Sequence, residues 1–567
     1  MQLLEHFREI WLCDFEFISR PGERPVPVCL AALEIRTGAR WRLWHDQFGR
    51  QPPFGIGPDI LFTAYFSCAE LNCFLSLRWP LPVRILDLFT EFRNLTNGWP
   101  TIAGNSLLGA LAHFGVDAIG AHEKQEMREL IQSGGPWSQE ERSAIQDYCQ
   151  SDVEALNRLL PIMAPQIDLP RALLRGRYMA AVARMEFAGV PVNVERLDQL
   201  RANWTRISDQ LIARVDGNYG VFEGRTFKQD RFEGWLARNN IPWPVLDSGR
   251  LSLEDDTFRE MAKIFPSVAP LRELRHALSD LRLNDLTVGT DDRNRCMLSP
   301  FGARSGRNTP SAAKYIFGPS VWLRNLIEPP PGHGLSYVDW VQEEFAVGAA
   351  LSGDSAMLAA YETGDSYLAS AKLARMVPED ATKESHPVER DLFKTCVLGV
   401  GYEIGAKSLA LRMGQPEIVA RHLLQCHHEI YRRFWEWSDN AVNHAILCGR
   451  QWTTFGWTRR VPIVPNPRSL RNFHMQANAA EMLRLAACLA TENGVEVCAP
   501  VHDAFLICAP IERLDADVER MRHYMAEASR VVLAGFTLRT EAHLIRYPEH
   551  YSDRRGERMW REVTALL

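Results

Sequence analysis

YVDWVQEEFAVGAALSGD, residues 337–354 of a 567-residue chain, runs an apolar β-type segment into Asp339 and then opens a second segment on two adjacent glutamates. The first part, LSYVDWV, reads as a buried strand ending at Asp339. The second reads as a helix, with Phe345, Val347, Ala349 and Leu351 among its apolar residues. A carboxylate at a strand end is poorly placed for packing and well placed to hold a cation at a cleft. Its partner stands in APVHDAFLICAP, where Asp503 sits in a turn-like His-Asp between two strand-like runs, the form of a β-hairpin. Two aspartates from distant strands suit a pair of divalent ions at an in-line phosphoryl displacement.

A third segment lies between them. In VERDLFKTCVLGVGYEIG, Arg390, Lys394, Leu398 and Tyr402 recur every fourth residue and so form one helical stripe. Pro387 suits the first turn of that helix. Two cations followed by an apolar and an aromatic residue match a triphosphate at one end and a base at the other.

Composition is that of an ordinary globular chain, 46% hydrophobic and 24% charged, long enough for two to four domains. Twelve cysteines without a CxxC pair point to reduced thiols. No long uninterrupted apolar run and no basic, apolar leader is present, which points to a soluble cytoplasmic protein without a membrane partner. Net charge is −6, yet residues 383–475 hold 13 Lys/Arg against 8 Asp/Glu, and residues 270–325 hold 9 against 5. Cations gathered in two segments of an acidic chain are compatible with a nucleic-acid groove.

The first 160 or so residues alternate β-type runs with helical stretches, the pattern of an α/β domain, and a helical zone follows from about Pro170. In LCDFEF, Asp14 and Glu16 sit two apart on a strand and project to one face, where they can share a divalent cation. In DYCQSDVEAL, Tyr148 and Asp152 sit four apart and stack on a helix. Carboxylates of this kind with a tyrosine suit two-metal hydrolysis.

Here the chain resembles the proofreading 3′-to-5′ exonuclease domain with an Asp-Glu-Asp-Asp-Tyr signature. The resemblance implies a fourth carboxylate. It places Glu70 at that metal position, a departure from Asp, and sets Asp87 where the family has another Asp beside a Thr. The remainder resembles a family A DNA polymerase of the bacteriophage sort. SGRNTP with Arg307 is similar to a primer-contacting segment, DWVQEE to the first palm motif, RDLFKTCVLGVGY to the fingers helix and VHDAF to the last palm motif. PRSLRNFHMQANAA, with Arg468, Asn472 and Gln476 four apart, is similar to the template and minor-groove contacts, and MEFAGVPVNVERL to the lead into the polymerase region.

What the resemblance implies is an α/β and α+β multidomain protein, an RNase H-like exonuclease domain followed by a right-hand polymerase. The expected boundaries are 1–165 for the exonuclease, 170–296 for the lead-in and thumb, 297–383 and 490–567 for the palm, and 384–489 for the fingers. Asp339 and Asp503 would hold two Mg²⁺, with Mn²⁺ as a substitute; Arg390 and Lys394 would face the dNTP triphosphate, and Leu398 and Tyr402 the nascent pair. Glu344 would block a 2′-hydroxyl while Glu343 points elsewhere on the helix. Arg307, Arg468, Asn472, Gln476 and His502 would contact primer-template DNA; Asp14, Glu16, Glu70 and Asp152 would hold exonuclease metals beside Tyr148. Replisome accessory proteins are further expected partners, and a phage-encoded chain would work in the host cytoplasm. Leu398 stands where the family often has Phe or Tyr, and Ala504 where it often has Glu. Two alternative readings are a polymerase with a weakened exonuclease, and a nuclease or DNA-binding protein on a non-catalytic polymerase scaffold.

Overall fold

The run EIWLCDFEFI forms the middle strand of the first sheet, β1 (Glu9–Ile18). The structure is a computed structural model and describes residues 4–101, 103–116, 121–246, 248–279, 283–318, 321–401 and 404–567. β1 pairs antiparallel with β2 (Val26–Glu34), which continues to β3 (Arg40–Trp44). On its other side β1 pairs parallel with β4 (Ile60–Ala64), which continues to β5 (Ile85–Asp87). A middle strand is covered on both faces, which explains the unbroken apolar stretch Ile10, Trp11, Leu12 and Cys13.

Helices α1 (Cys68–Ser76), α2 (Leu88–Thr96), α3 (Ala121–Gln132) and α4 (Gln139–Met163) surround this sheet. Trp11, Cys13 and Phe15 pack into an aromatic cluster with Phe54, Phe62 and Phe74. Ile10 and Leu12 face the opposite way, into a core with Ile145, Cys149 and Val153 of α4. Alternation along a strand therefore puts Asp14 and Glu16 on the α4 side. α4 starts at a capping box in which the Ser138 hydroxyl accepts from Glu141 N and the Glu141 carboxylate accepts from Ser138 N.

α5 (Leu169–Ala188) ties this sheet to the rest of the molecule, packing on β5 and on elements from the C-terminal half. It crosses β5 so closely that a Cβ on Gly176 would lie 2.0 Å from the Ile85 carbonyl oxygen. One residue earlier, Arg175 donates to both Glu91 oxygens at 2.7 Å, and both side chains are buried. The pair is bidentate, the geometry in which a desolvated ion pair holds register.

After α5 come helices Val194–Asp216, Gln229–Arg238, Asp255–Ile264 and Ala269–Ser279. The second sheet is antiparallel throughout: β6 (His333–Trp340), β7 (Glu496–Val501), β8 (Ala504–Pro510) and β9 (Thr540–Arg546), in the order β7-β8-β6-β9. Against it and beside it lie α6 (Glu343–Ser352), α7 (Pro387–Val400) and α8 (Pro467–Glu492). The molecule is thus a mixed α/β and α+β multidomain protein, as the resemblance implies. β3 and β5 join the strands expected in the first 160 residues. No described helix is long and apolar enough to cross a membrane.

Candidate active sites

Asp339 is the penultimate residue of β6 and stands in register between Ala504 of β8 and Glu541 of β9. Asp503 lies in the two-residue turn joining β7 to β8, and its carbonyl accepts from Trp340 N at 3.2 Å. Backbone pairing therefore brings the two aspartates, far apart in the chain, to adjacent strand ends. His502 holds that turn with φ of 55°, a left-handed conformation that costs a non-glycine residue about 1–2 kcal/mol. Gln342, with φ of 54°, makes the equally tight step from strand to helix α6. Burial, then Asp503 and Glu541, push the Asp339 carboxyl up to about 6. Burial raises Asp503 as well. Carboxylates that repel one another in a half-buried cleft are a donor set that fits divalent cations.

Of the stripe, Arg390, Lys394 and Leu398 lie on α7. Pro387 opens the helix, Phe393, Cys396, Val397 and Val400 are buried, and Lys394 and Leu398 stand on the exposed side. Arg390 is half-buried, ion-paired with Asp365, with its guanidinium 5.6 Å from the Tyr367 ring centre. Tyr402 lies outside the described residues. On α8, Arg468, Asn472 and Gln476 line one cavity of about 350 Å³ together with Arg304 and Arg459. Arg307 and His502 line another of about 440 Å³ with Arg324 and Arg484.

A second acidic cluster sits on the first sheet. One ligand oxygen from each of Asp14, Glu16 and Asp152 lies within 4.8 Å of the others. Burial, then Asp152, raise Asp14 well above the usual range; burial, then Asp14, raise Glu16. α4 brings Asp152 over β1, and Tyr148 one turn earlier is buried beside it. Glu70 is buried on α1, raised by burial and then by Asp14, but lies outside the group of three within 4.8 Å. Asp87 is a helix cap: one oxygen accepts from Thr90 N at 2.7 Å, the other from Ser67 N at 2.6 Å and Ser67 Oγ at 2.7 Å. Sequence reasoning missed Lys124 of α3, whose ammonium donates to both Asp152 oxygens at 2.6 and 2.8 Å.

Residues 317–543, the span that carries both strand-end aspartates and the α7 stripe, match the family described as DNA polymerase family A. These residues form a family A DNA polymerase domain. The chain is 24% identical over 405 residues to a DNA polymerase of Mycobacterium phage D29, covering 68% of this chain and 66% of that protein. It is 24% identical over 425 residues to DNA polymerase I of Aquifex aeolicus, covering 69% and 70%. To DNA polymerase I of Chloroflexus aurantiacus it is 23% identical, and there the match spans only 41% of the relative. The fold is similar to that of the solved POL domain of Pol1 from M. smegmatis in complex with DNA primer-template and dNTP. That likeness has a TM-score of 0.70 and 16% identity, and covers 96% of each chain.

Within the polymerase domain, the two glutamates of α6 need a correction. Glu343 does not point away from the site: it is 4% exposed, and its Oε1 is buried without a hydrogen-bond partner among the described residues. Burial, then Asp503, push it up to about 8, with Arg307 pulling the other way. Gln342, left-handed, opens α6, and directly after it Glu343 is buried within electrostatic reach of Asp503 while Glu344 is half-buried near Tyr367. Glu343 thereby adds a carboxylate near Asp503, where Ala504 adds none.

A pH effect follows. Unfolding returns Glu343 from about 8 to its ordinary 4.5, so between those values the folded state holds a proton that the unfolded state releases. Stability therefore falls as pH rises through that window. In metal-free protein, Glu343→Gln is expected to gain in Tm over the wild type from pH 5 to 8 and hold a constant lead above. Thermal melts across pH 5–9 check this; a Tm gap that does not change with pH overturns it.

Proposed function

We propose that this chain is a template-directed DNA polymerase that extends a primer 3′-hydroxyl with dNTPs, and that its first sheet carries a 3′-to-5′ exonuclease. The observation that carries the reading is the meeting of Asp339 and Asp503 at adjacent strand ends within the polymerase domain. In this reading, residues 1–165 are the exonuclease and 170–296 the lead-in and thumb. Residues 297–383 with 490–567 are the palm, and 384–489 the fingers.

Asp339 and Asp503 would hold Mg²⁺ or Mn²⁺. Divalent ions bound there supply positive charge for the attacking and leaving oxygens of an in-line displacement. The chain's own residues do the positioning. Lys394, exposed on α7, reaches the triphosphate, and Arg390 joins it by exchanging Asp365 for phosphate oxygens. Such an exchange suits a helix that closes on its substrate. Tyr402 and Leu398 cover the nascent pair. Arg307, His502 and the cavity lined by Arg468, Asn472 and Gln476 hold the duplex; Asn472 Oδ1 is buried with no hydrogen-bond partner among the described residues, an acceptor suited to a base edge. Phosphate contacts from arginines fix register without reading sequence.

Glu344 fills the space beneath the sugar and excludes a 2′-hydroxyl. Primer extension on a defined template, with dNTPs and with rNTPs, tests the reading. Incorporation directed by the template and confined largely to dNTPs is expected; extension independent of template overturns it. Glu344→Ala is expected to raise the rNTP-to-dNTP ratio on the order of tenfold or more, the range that one steric or polar contact gives.

A further inference from the structure

The acidic cluster of the first sheet contains a cation of its own. Lys124 reaches in from α3, and its ammonium bonds both oxygens of Asp152, at 2.6 and 2.8 Å. It does so in a closed setting: the Lys124 and Asp152 side chains are 10% and 14% exposed. The ammonium also lies 5.5 Å from the centre of the Tyr148 ring, so the lysine is held from two sides of α4 residues. The carboxylates around it are not all provided for. Asp14 Oδ2 and Glu70 Oε2 are buried without a hydrogen-bond partner among the described residues, and Glu70 as a whole is 4% exposed.

Charge and geometry then limit what else the cluster takes. Three carboxylates converge within 4.8 Å, and Lys124 already bonds each oxygen of the one on α4. One divalent cation between Asp14 and Glu16 would bring these three carboxylates and the lysine to neutrality, because they carry −3 and +1; Glu70 lies outside that group. A second divalent cation on Asp152 would have to displace the ammonium, or sit against it as a like charge in a partly buried site.

We propose that Lys124 is the built-in cation of this nuclease site, its ammonium standing at Asp152 where a second divalent ion would otherwise bind, so that the site takes one divalent ion. This rests on the reading of the first sheet as an exonuclease. In that setting the lysine holds the Asp152 side of the cluster, and the single divalent ion falls to Asp14 and Glu16 of β1.

The test counts ions on the full-length chain. With Asp339→Asn and Asp503→Asn in place to remove the polymerase site, Mn²⁺ is titrated and the free ion is read by EPR. A companion chain also carrying Asp14→Asn, Glu16→Gln and Asp152→Asn supplies the background. One Mn²⁺ above that background is expected with Lys124 or Lys124→Arg, and two with Lys124→Met or Lys124→Gln. Two ions with Lys124 present, or the same count in all four, overturns the proposal. Circular dichroism melts identify any variant that does not fold, and the second member of each pair then gives the count. Primer shortening by the wild type is measured separately: its absence removes the exonuclease reading, while the ion count still decides the role of Lys124.

Discussion

Asp339→Ala and Asp503→Ala are each expected to lose primer extension by on the order of 10³ or more, with primer-template binding largely retained. The transition-state charge neutralised at such a site is worth several kcal/mol, and each 1.36 kcal/mol is a factor of ten in rate. In the proposed reading duplex binding rests elsewhere, on the arginines around α8 and on Arg307, so gel-shift affinity should move little. The two losses are distinguishable from misfolding because of how the site is built. Burial and then Asp503 raise Asp339, so removing either carboxylate relieves repulsion inside the folded state. Melting temperature of the metal-free variants is therefore expected to stay level or rise while extension disappears. Substantial extension by either variant in a steady-state assay removes the metal role assigned to that residue.

Much of this site was legible because strand and helix periodicities survive folding. Alternation in LCDFEF put Asp14 and Glu16 on one face, and the structure sets that face under Asp152 of α4. Four-residue spacing put Lys394 and Leu398 on one side of α7, and Arg468, Asn472 and Gln476 along one cavity beside α8. The turn at His502-Asp503 was visible as two polar residues between apolar runs, and it closes the hairpin whose register brings Asp503 to Asp339.

What escaped was set by backbone detail and by contacts between elements. A helical wheel begun at Glu343 cannot know that Gln342 is left-handed, nor which of two adjacent glutamates is buried within reach of Asp503. Lys124 lies on a helix 28 residues before its partner, with no periodic relation to it. Asp365 stands ahead of α7, and nothing in the stripe predicts that it holds Arg390. Asp87, which the resemblance sets where the family has another Asp beside a Thr, accepts from three backbone and hydroxyl donors around the start of α2, contacts that no spacing foretells.

The separation of the two acidic clusters yields the last prediction. Asp14 belongs to the middle strand of the first sheet, Asp339 to the second, and α5 lies between them with Arg175 locked on Glu91. Loss of one chemistry should therefore leave the other intact. Asp14→Ala is expected to suppress primer shortening in the absence of dNTPs by on the order of 10³, the scale of losing metal-assisted hydrolysis, while extension of a matched primer continues at the wild-type rate. Burial and Asp152 both disfavour the ionised form of Asp14, so the substitution removes a strained charge and the variant should melt no lower than the wild type. A mispaired primer end separates the two outcomes most sharply: the wild type trims it before extending, and Asp14→Ala either stalls or copies past the mismatch. If the wild type trims neither end with Mg²⁺ or Mn²⁺, the first sheet does not act as a nuclease, and the polymerase reading, which rests on the other sheet, is untouched.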